Sequence, residues 1–223
     1  MAGDVSTDGR RVDKAGELLP ADATLRTKES SRYVSRGGLK LEHGLDSFGV
    51  DPAGRVCLDA GCSTGGFTDC LLQRGARLVH AVDVGYGQLA WALRNDSRVL
   101  VRERTNVRTV APETVRPAPD LVVADLAFVS LTRALPALVG LTQGAVAEFV
   151  LLVKPQFELP REKVPDGVVR DSVLHREAVE RVVSRATELG LKSLFEGAAA
   201  VESPLIGPEG NREFLVGFRR GSG

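Results

Sequence analysis

The sequence lacks an excess of charge of either sign, because 29 Lys and Arg residues balance 29 Asp and Glu residues. It therefore lacks the overall charge of a protein that coats nucleic acid non-specifically, although a local basic face is compatible with this balance. No apolar run in the 223 residues reaches the ~20 residues needed to cross a bilayer, and residues 1–14 contain no apolar core of a signal peptide. We therefore expect a soluble, cytoplasmic protein that makes no contact with membranes.

Cysteine is also scarce. The three cysteines, Cys57, Cys62 and Cys70, are not spaced as C-x-x-C, and no histidine lies near them at ligand spacing. This pattern argues against a disulfide scaffold and against a zinc site, so we predict no metal centre. The cysteines are predicted to be small buried apolar side chains in a reducing compartment.

A series of short apolar runs begins at Val56 and continues through most of the chain. The runs are apolar at consecutive positions, which is typical of strands buried on both faces of a parallel sheet. Helix-compatible segments at 66–74, 87–94 and 131–141 separate most of them. This alternation predicts an α/β fold with a doubly wound sheet.

The clearest single helix covers residues 171–190. Asp171 is placed to cap its start and Gly190 to end it. Segments 191–196 and 213–218 are then predicted to be the final strands, and segment 161–171 a loop that is either solvated or a lid over the substrate. The apolar stripe of the helix consists of Leu174, Ala178, Val182, Ala186 and Leu189.

Gly, Ser and Thr are concentrated in one short stretch, where they occupy five of the seven positions from Gly61 to Phe67. The stretch directly follows an apolar run that ends at Asp59. In an open parallel sheet a ligand lies beyond the carboxyl ends of the strands, and glycines there let it approach the backbone. The patterns of dinucleotide and nucleoside triphosphate sites are absent. D-x-G-x-x-x-G is the pattern of S-adenosylmethionine (SAM) methyltransferases, and a plain strand-to-helix turn is the alternative.

Polar residues also end the next three predicted strands. Asp83 follows the second run, where an acid can accept hydrogen bonds from both ribose hydroxyls of a nucleoside. A solvated turn aspartate fits this residue alone equally well. Asn106 ends the third strand, where it could lie beside an adenine, and Asp125 ends the fourth. Four consecutive strands that end in a polar residue at one edge indicate a ligand site there.

Longer motifs make the sequence resemble a known family. These motifs are YVSRGGLKL (33–41), LDAGCSTGGFTDCLL (58–72), DVGYGQLAWALRND (83–96), ERTN (103–106), DLVVADLAFVSL (120–131), LVKPQFE (152–158) and GPEGNREF (207–214). In this order they are similar to the TlyA family, hemolysin-like proteins that act as ribosomal RNA 2′-O-methyltransferases within the FtsJ-like group. The resemblance implies a Rossmann-like class I methyltransferase fold with a seven-stranded, mostly parallel sheet and helices on both faces.

The resemblance also implies a cofactor, a substrate and a set of site residues. The cofactor is SAM, and the partner is ribosomal RNA or a ribosomal subunit. The implied catalytic tetrad is Lys40, Asp125, Lys154 and Glu213. Lys154 is the residue expected to take the proton of a ribose hydroxyl or to polarise it, with Lys40 as a second cation and the two carboxylates orienting the lysines. The predicted cofactor-binding residues are Asp59, Gly61, Ser63, Thr64, Gly65, Gly66, Phe67, Asp83, Asn106 and Asp125.

The first 31 residues depart from the family pattern. They resemble only the second half of the S4-like RNA-binding domain that family members carry before the catalytic part, which we place at residues 32–223. Either the chain has been shortened, or its start was assigned internally, or the protein has lost half of the module. Methylation of a small molecule in a biosynthetic pathway is therefore the alternative to RNA. A pore-forming cytolysin, which the hemolysin name suggests, has no membrane segment to support it.

Overall fold

The computed structural model describes residues 5–7, 10–11, 18–20, 22–27, 32–143, 146–195, 200–207 and 209–221. Contacts divide the chain into two compact units, Met1–Arg32 and Tyr33–Gly223. In the first unit, three short strands form an antiparallel sheet with the first strand in the middle: β1 (Val5–Thr7), β2 (Arg10–Arg11) and β3 (Leu25–Thr27). The origin of this unit as part of an S4-like domain stays a prediction.

The second unit combines one large sheet with six α-helices in the described part of the chain. The strands are β4 (Val56–Ala60), β5 (Leu78–Val82), β6 (Val99–Arg102), β7 (Leu121–Ala124), β8 (Ala147–Val153), β9 (Lys192–Ser193), β10 (Val201–Glu202) and β11 (Phe214–Arg220). The helices are α1 (Gly37–Phe48), α2 (Gly66–Gln73), α3 (Trp91–Arg94), α4 (Leu131–Leu141), α5 (Pro155–Glu158) and α6 (Ser172–Glu188). Short 3₁₀ turns cover Val107–Thr109, Pro112–Thr114 and Arg161–Lys163.

The order of the strands confirms the predicted sheet. Seven strands lie in the order β10-β11-β8-β7-β4-β5-β6, and the two-residue strand β9 pairs with β11. Strands β4 to β8 are parallel to one another, whereas β11 runs antiparallel to β8. From β4 the chain continues to β5 and β6 on one side of β4, and then crosses to β7 on the opposite side of β4. This change of direction makes the carboxyl ends of β4 and β7 the switch point at which open α/β sheets bind ligands.

Apolar side chains cover both faces of the sheet, as the consecutive apolar runs predict. Along β8, Phe149 and Leu151 pack in the cluster that holds α4 and α6, while Val150 and Leu152 pack in the cluster that holds α1 and α2. This alternation follows from the two-residue period of a strand. The three cysteines are buried and free, as predicted.

Most of the predicted helices are confirmed, with one correction. Helix α4 covers the predicted range, and α6 begins after Asp171, whose carboxylate accepts a hydrogen bond from the amide of Val173 at 2.8 Å. Of the predicted segment 87–94, however, only α3 is helical. Gly87 has a φ of +70°, which a helix does not allow.

The end of the chain also differs from prediction. Within segment 191–196 only β9 forms a strand, Glu196 lies outside the described residues, and β10 was not predicted. The second predicted strand at 213–218 corresponds to β11, which starts one residue later and continues to Arg220.

Candidate active site

The parallel sheet brings three of the predicted site segments to one edge. Ala60 pairs with Val82 on one side and with Ala124 on the other, so the residues that follow these strands lie side by side. Asp83 and Asp125 directly follow their strands, as predicted. Asn106 is a correction, because it lies four residues beyond the end of β6, where its side chain caps a 3₁₀ turn.

Two cavities meet at this edge. The larger one has a volume of about 680 Å³ and the smaller one about 210 Å³, and both are lined by Gly61, Ser63 and Asp125. The larger cavity also contains the predicted residues Asp83, Asn106 and Lys154. The smaller cavity also contains Lys40, Thr64, Gly66 and Phe67. The structure thus groups most of the predicted residues around one cleft, but Asp59, Gly65 and Glu213 do not line either cavity.

Gly61 is the residue at which the turn most needs glycine. Its φ is +85°, and a Cβ atom there would lie 2.5 Å from the carbonyl oxygen of Asp125. This carbonyl oxygen belongs to the backbone at the end of β7, so rotation of a side chain could not relieve the clash. A glycine at this position therefore lets the two strand ends approach each other and leaves the cleft floor open.

The carboxylate of Asp83 is held in a fixed orientation by the backbone. One of its oxygens accepts a hydrogen bond from the amide of Ser63 at 2.8 Å, and the other accepts one from the amide of Gly85 at 2.7 Å. Each carboxylate oxygen has a second lone pair. The arrangement leaves acceptors toward the cleft for a pair of hydroxyl groups.

Asp59 is a second correction, because it lies inside β4 and is completely buried. The hydroxyl of Thr68 donates to one of its oxygens at 2.6 Å, and the other oxygen has no hydrogen-bond partner among the described residues. Burial raises the pKa of this carboxyl to about 7. The predicted contact of Asp59 with the cofactor stays a prediction.

The raised pKa of Asp59 predicts a pH-dependent stability. Because the folded-state pKa of about 7 lies above the ordinary aspartate pKa of 3.8, the stabilisation is complete below pH 4 and is lost as the pH rises through 7. Asp59→Asn has no charge to desolvate and can still accept from Thr68. We expect this variant to lack the loss of stability between pH 5.5 and 8, and to exceed the wild type at pH 8 by about 2–4 kcal/mol.

Denaturant unfolding at the two pH values measures this difference. Asp166→Asn, at an exposed loop position, is the control for the loss of one carboxylate. An identical pH dependence of wild type and Asp59→Asn would show that Asp59 does not titrate in this range.

The four tetrad residues form two ion pairs. The Nζ atom of Lys154 lies 2.6 Å from Oδ1 of Asp125, and the ammonium of Lys40 pairs with the carboxylate of Glu213. Lys40 and Glu213 are buried, with 8% and 1% of their surfaces exposed. Each carboxylate thus fixes one lysine. Lys40 lies in α1, and the other three residues lie directly beside the ends of β7, β8 and β11. Whether these residues are catalytic is not tested by their positions.

Segment 161–171 is solvated over most of its length but anchored at two residues, because seven of its eleven residues are exposed and two are buried. Val164 and Val169 are buried in a small cluster with Leu159 of the preceding segment and Ala178 of α6. The side chain of Asn211 accepts a hydrogen bond from the amide of Val169 at 2.8 Å and donates to the carbonyl of Gly167 at 2.9 Å. The segment is therefore packed against the fold, and its role as a lid stays a hypothesis.

Sequence reasoning missed one prominent residue of the cleft. Phe128 lines the larger cavity with 93% of its surface exposed, and its φ is +64°, a conformation that costs a residue with a side chain about 1–2 kcal/mol. Its ring centroid lies 5.5 Å from that of Phe157. In the sequence it belongs to the run LAFVSL, which is indistinguishable from core. Only its backbone conformation and exposure mark it as part of the site.

The features of the cleft together define a class of protein. A doubly wound sheet with a glycine-rich turn at the switch point, and an oriented acid after the next strand, are the features of a Rossmann-like, SAM-dependent methyltransferase. The chain belongs to the FtsJ-like methyltransferase family, which matches residues 33–220.

Known proteins similar to this chain agree with that assignment. The 16S/23S rRNA (cytidine-2′-O)-methyltransferase TlyA of Mycobacterium tuberculosis is 51% identical, over 94% of this chain and 79% of its own length. A solved structure named after hemolysin, from Lactococcus lactis, is 44% identical with a TM-score of 0.81, over 86% of this chain and 90% of its own. Geranyl diphosphate methyltransferase in complex with SAM shares the fold alone, with 17% identity and a TM-score of 0.55 over 82% and 85% of the two chains.

The name hemolysin raises the question of membrane insertion. Within the part of the chain that the structure describes, no helix combines the length and the apolar character needed to span a bilayer.

Proposed function

We propose that this enzyme transfers a methyl group from SAM to the 2′-hydroxyl of a ribose in ribosomal RNA. The observation that carries the proposal is the pair of lysine–carboxylate contacts around the cleft, Lys154 with Asp125 and Lys40 with Glu213. The TlyA protein of M. tuberculosis, 51% identical to this chain, is named for the same reaction on cytidine. A ribosomal substrate would place the enzyme in the cytoplasm.

The residues of the larger cavity fit SAM. Asp83, oriented by two backbone amides, would accept from the ribose hydroxyls of the cofactor, and Asn106 would lie beside its adenine. The open floor at Gly61 would let the methionine part approach the backbone. When bound, the cofactor supplies a methyl group on a positively charged sulfur.

The tetrad would prepare the ribose hydroxyl. A hydroxyl is a weak nucleophile at neutral pH, so it must lose its proton as its oxygen attacks the methyl carbon. Lys154 lies at the wall of the larger cavity, where it would take or polarise that proton while Asp125 holds its side chain in place. A bond forms between the ribose oxygen and the methyl carbon as the carbon–sulfur bond breaks. Lys40, held by Glu213, supplies a second positive charge from the smaller cavity.

The rim of the cleft supports an RNA substrate despite the zero net charge. Arg104 and Arg108 are exposed, and Arg108 lines the larger cavity. The guanidinium of Arg104 lies 4.1 Å from the ring centroid of Tyr86, which is itself 67% exposed. Cations beside exposed aromatic rings are what single-stranded RNA requires, because they bind phosphates and stack on bases. Arg108 and Phe128 both line the larger cavity, so this cavity combines a cation with an exposed aromatic ring, which the overall charge does not reveal.

Phe128 is predicted to stack on a base of the RNA next to the methylated ribose. Phe128→Ala should weaken RNA binding about tenfold or more, since a base–aromatic stack contributes ~1–3 kcal/mol. Cofactor affinity should be unchanged, and Phe128→Tyr should restore RNA binding. Titration of the variants with ribosomal subunits and with SAM measures both affinities.

Trp91→Ala is the matched control for this variant, because Trp91 is 77% exposed but does not line the cleft. Equal RNA affinity of Phe128→Ala and wild type would contradict a stacking role. Equal losses of RNA affinity in Phe128→Ala and Trp91→Ala would indicate a general effect of exposed aromatic side chains.

Incubation with labelled SAM tests the proposed function. Purified ribosomal subunits and a pool of small metabolites are offered separately, and we expect label in the ribosomal RNA. Its incorporation should fall steeply as salt rises, because RNA contacts release counterions. Label in a metabolite alone would contradict the proposal and support the small-molecule alternative, which the similar proteins do not favour.

A further inference from the structure

Two neighbouring segments of the cleft touch each other at both ends. Segment 125–131 follows β7 and leads into α4, and segment 154–158 follows β8 and forms α5. They begin at the ion pair of Asp125 with Lys154, whose atoms lie 2.6 Å apart. In the middle, the rings of Phe128 and Phe157 are 5.5 Å apart.

Glu158 closes the far end of this pair of segments. Its carboxylate accepts a hydrogen bond from the hydroxyl of Ser130 at 2.5 Å and one from the amide of Leu131 at 2.6 Å. These donors lie at the N-terminus of α4, where backbone amides have no partner within the helix and a negative charge is favourable. Glu158 is only 4% exposed, and burial raises its pKa, so water does not compete for these bonds.

Segment 125–131 contains both a tetrad residue, Asp125, and a residue with a strained backbone, Phe128. Phe128 is held at a φ of +64°, which a residue with a side chain rarely adopts. Such a conformation persists only where surrounding contacts fix it. Segment 125–131 is fixed on one side of Phe128 by the Lys154–Asp125 pair and on the other by the bonds of Glu158, beside the packing of Leu126 and Val129 against the core. The bonds of Glu158 therefore contribute to its position.

We infer that Glu158 is a positioning residue of the methyl-transfer reaction, because its carboxylate holds segment 125–131 and thereby sets Asp125 and Phe128 relative to Lys154. The inference rests on the proposed function, since the rate that it concerns is that of transfer to ribosomal RNA. Glu158 itself lines neither cavity, so it would act through the segment that it holds and not by contact with substrate or cofactor.

Glu158→Gln tests this role in the full-length chain. Glutamine has the same shape, but Ser130 and Leu131 donate to different oxygens of Glu158, so in the same pose glutamine presents its NH₂ group, which is a donor, to one of them. We expect kcat to fall about 10- to 100-fold, because small misplacements of reacting groups cost this much. The Kd for SAM should rise by a smaller factor than kcat falls, because Asp83 and its two backbone amides, which are assigned to the cofactor, lie outside segment 125–131. Hydrogen exchange of the amides in segment 125–131, measured without substrate, should become faster. Ser130→Ala removes one of the two bonds and should lower kcat by a smaller factor. In the double variant, the factor by which kcat falls should be smaller than the product of the two single factors.

Glu148→Gln is the matched control. Glu148 lies near the opposite end of β8, is 9% exposed, and is bound by Arg55 at 2.5 Å and by Arg219. This variant should lose thermal stability yet keep both its kcat and the exchange rates of segment 125–131. The inference is overturned if Glu158→Gln keeps the wild-type kcat, if the exchange of segment 125–131 is unchanged, or if Glu148→Gln lowers kcat equally. A wild-type protein that methylates no ribosomal RNA would contradict the proposed function alone, because the exchange of these amides does not depend on substrate.

Discussion

Lys154→Met is expected to lower the rate of methyl transfer by about 10²–10⁴, the usual contribution of a positioned acid–base group. Methionine has a similar length but no nitrogen, so the hydroxyl loses both an amine that would take its proton and an ammonium that would polarise it. The fold should be retained, because Lys154 follows the buried strand β8 and its side chain faces the cleft. SAM affinity should also be retained, because the lysine is assigned to the hydroxyl and not to the cofactor. Single-turnover rates and calorimetry with SAM measure the two effects separately.

Two further variants make this prediction specific. Lys154→Arg should also lower the rate of methyl transfer, because a guanidinium group cannot accept a proton and differs in shape from an amine. Lys163→Met is the control, since Lys163 pairs with Glu177 in an exposed ion pair beyond α5 and should tolerate the change. A Lys154→Arg variant with nearly wild-type turnover would contradict proton transfer to Lys154 and leave charge or positioning as its role.

Asp83→Ala is expected to lower the affinity for SAM at least tenfold. The substitution removes two charge-assisted hydrogen bonds to the ribose hydroxyls, each worth roughly 1.5–3 kcal/mol. It also releases the backbone amides of Ser63 and Gly85, which in the wild type donate hydrogen bonds to the carboxylate at 2.8 and 2.7 Å. Calorimetric titration with SAM measures the affinity, and thermal unfolding shows whether the variant is folded.

Glu103→Gln separates ribose binding from loop structure. Glu103 accepts from the amide of Gly87 at 2.8 Å, in the same loop as Asp83, but does not line the cleft. We expect this variant to bind SAM normally. Unchanged affinity in a folded Asp83→Ala protein would remove the ribose role, and equal losses in both variants would attribute the effect to the loop.

The fold could be predicted because its signals are local. Consecutive apolar residues mark strands buried on both faces, and β8 has all seven of its residues buried. Asp171 and Gly190 bound α6 through their own backbone preferences, so the helix ends follow from two residues. The sheet edge then brings Asp83 and Asp125 together without further information, because parallel strands end on the same side.

The parts that could not be predicted depend on contacts between distant segments. Nothing in the sequence pairs Lys40 with Glu213, 173 residues away, and the tetrad was found through its resemblance to a family. Asp59 was expected at a strand end. In the structure it is enclosed inside the fold, where the hydroxyl of Thr68 in α2 donates a hydrogen bond to its carboxylate. Phe128 and Glu158 have ordinary sequence surroundings, and only their exposure and burial in the folded chain distinguish them.

The proposed reaction is methylation of the ribose of ribosomal RNA by means of Lys154. Its most direct test is digestion of the RNA labelled by this enzyme to nucleosides, followed by mass spectrometry of the methylated product. We expect a nucleoside with the methyl group on its 2′-oxygen, formed by the wild type and reduced by at least about 10²-fold with Lys154→Met. A methyl group on a base, or a 2′-O-methylated nucleoside formed equally by both proteins, would contradict it.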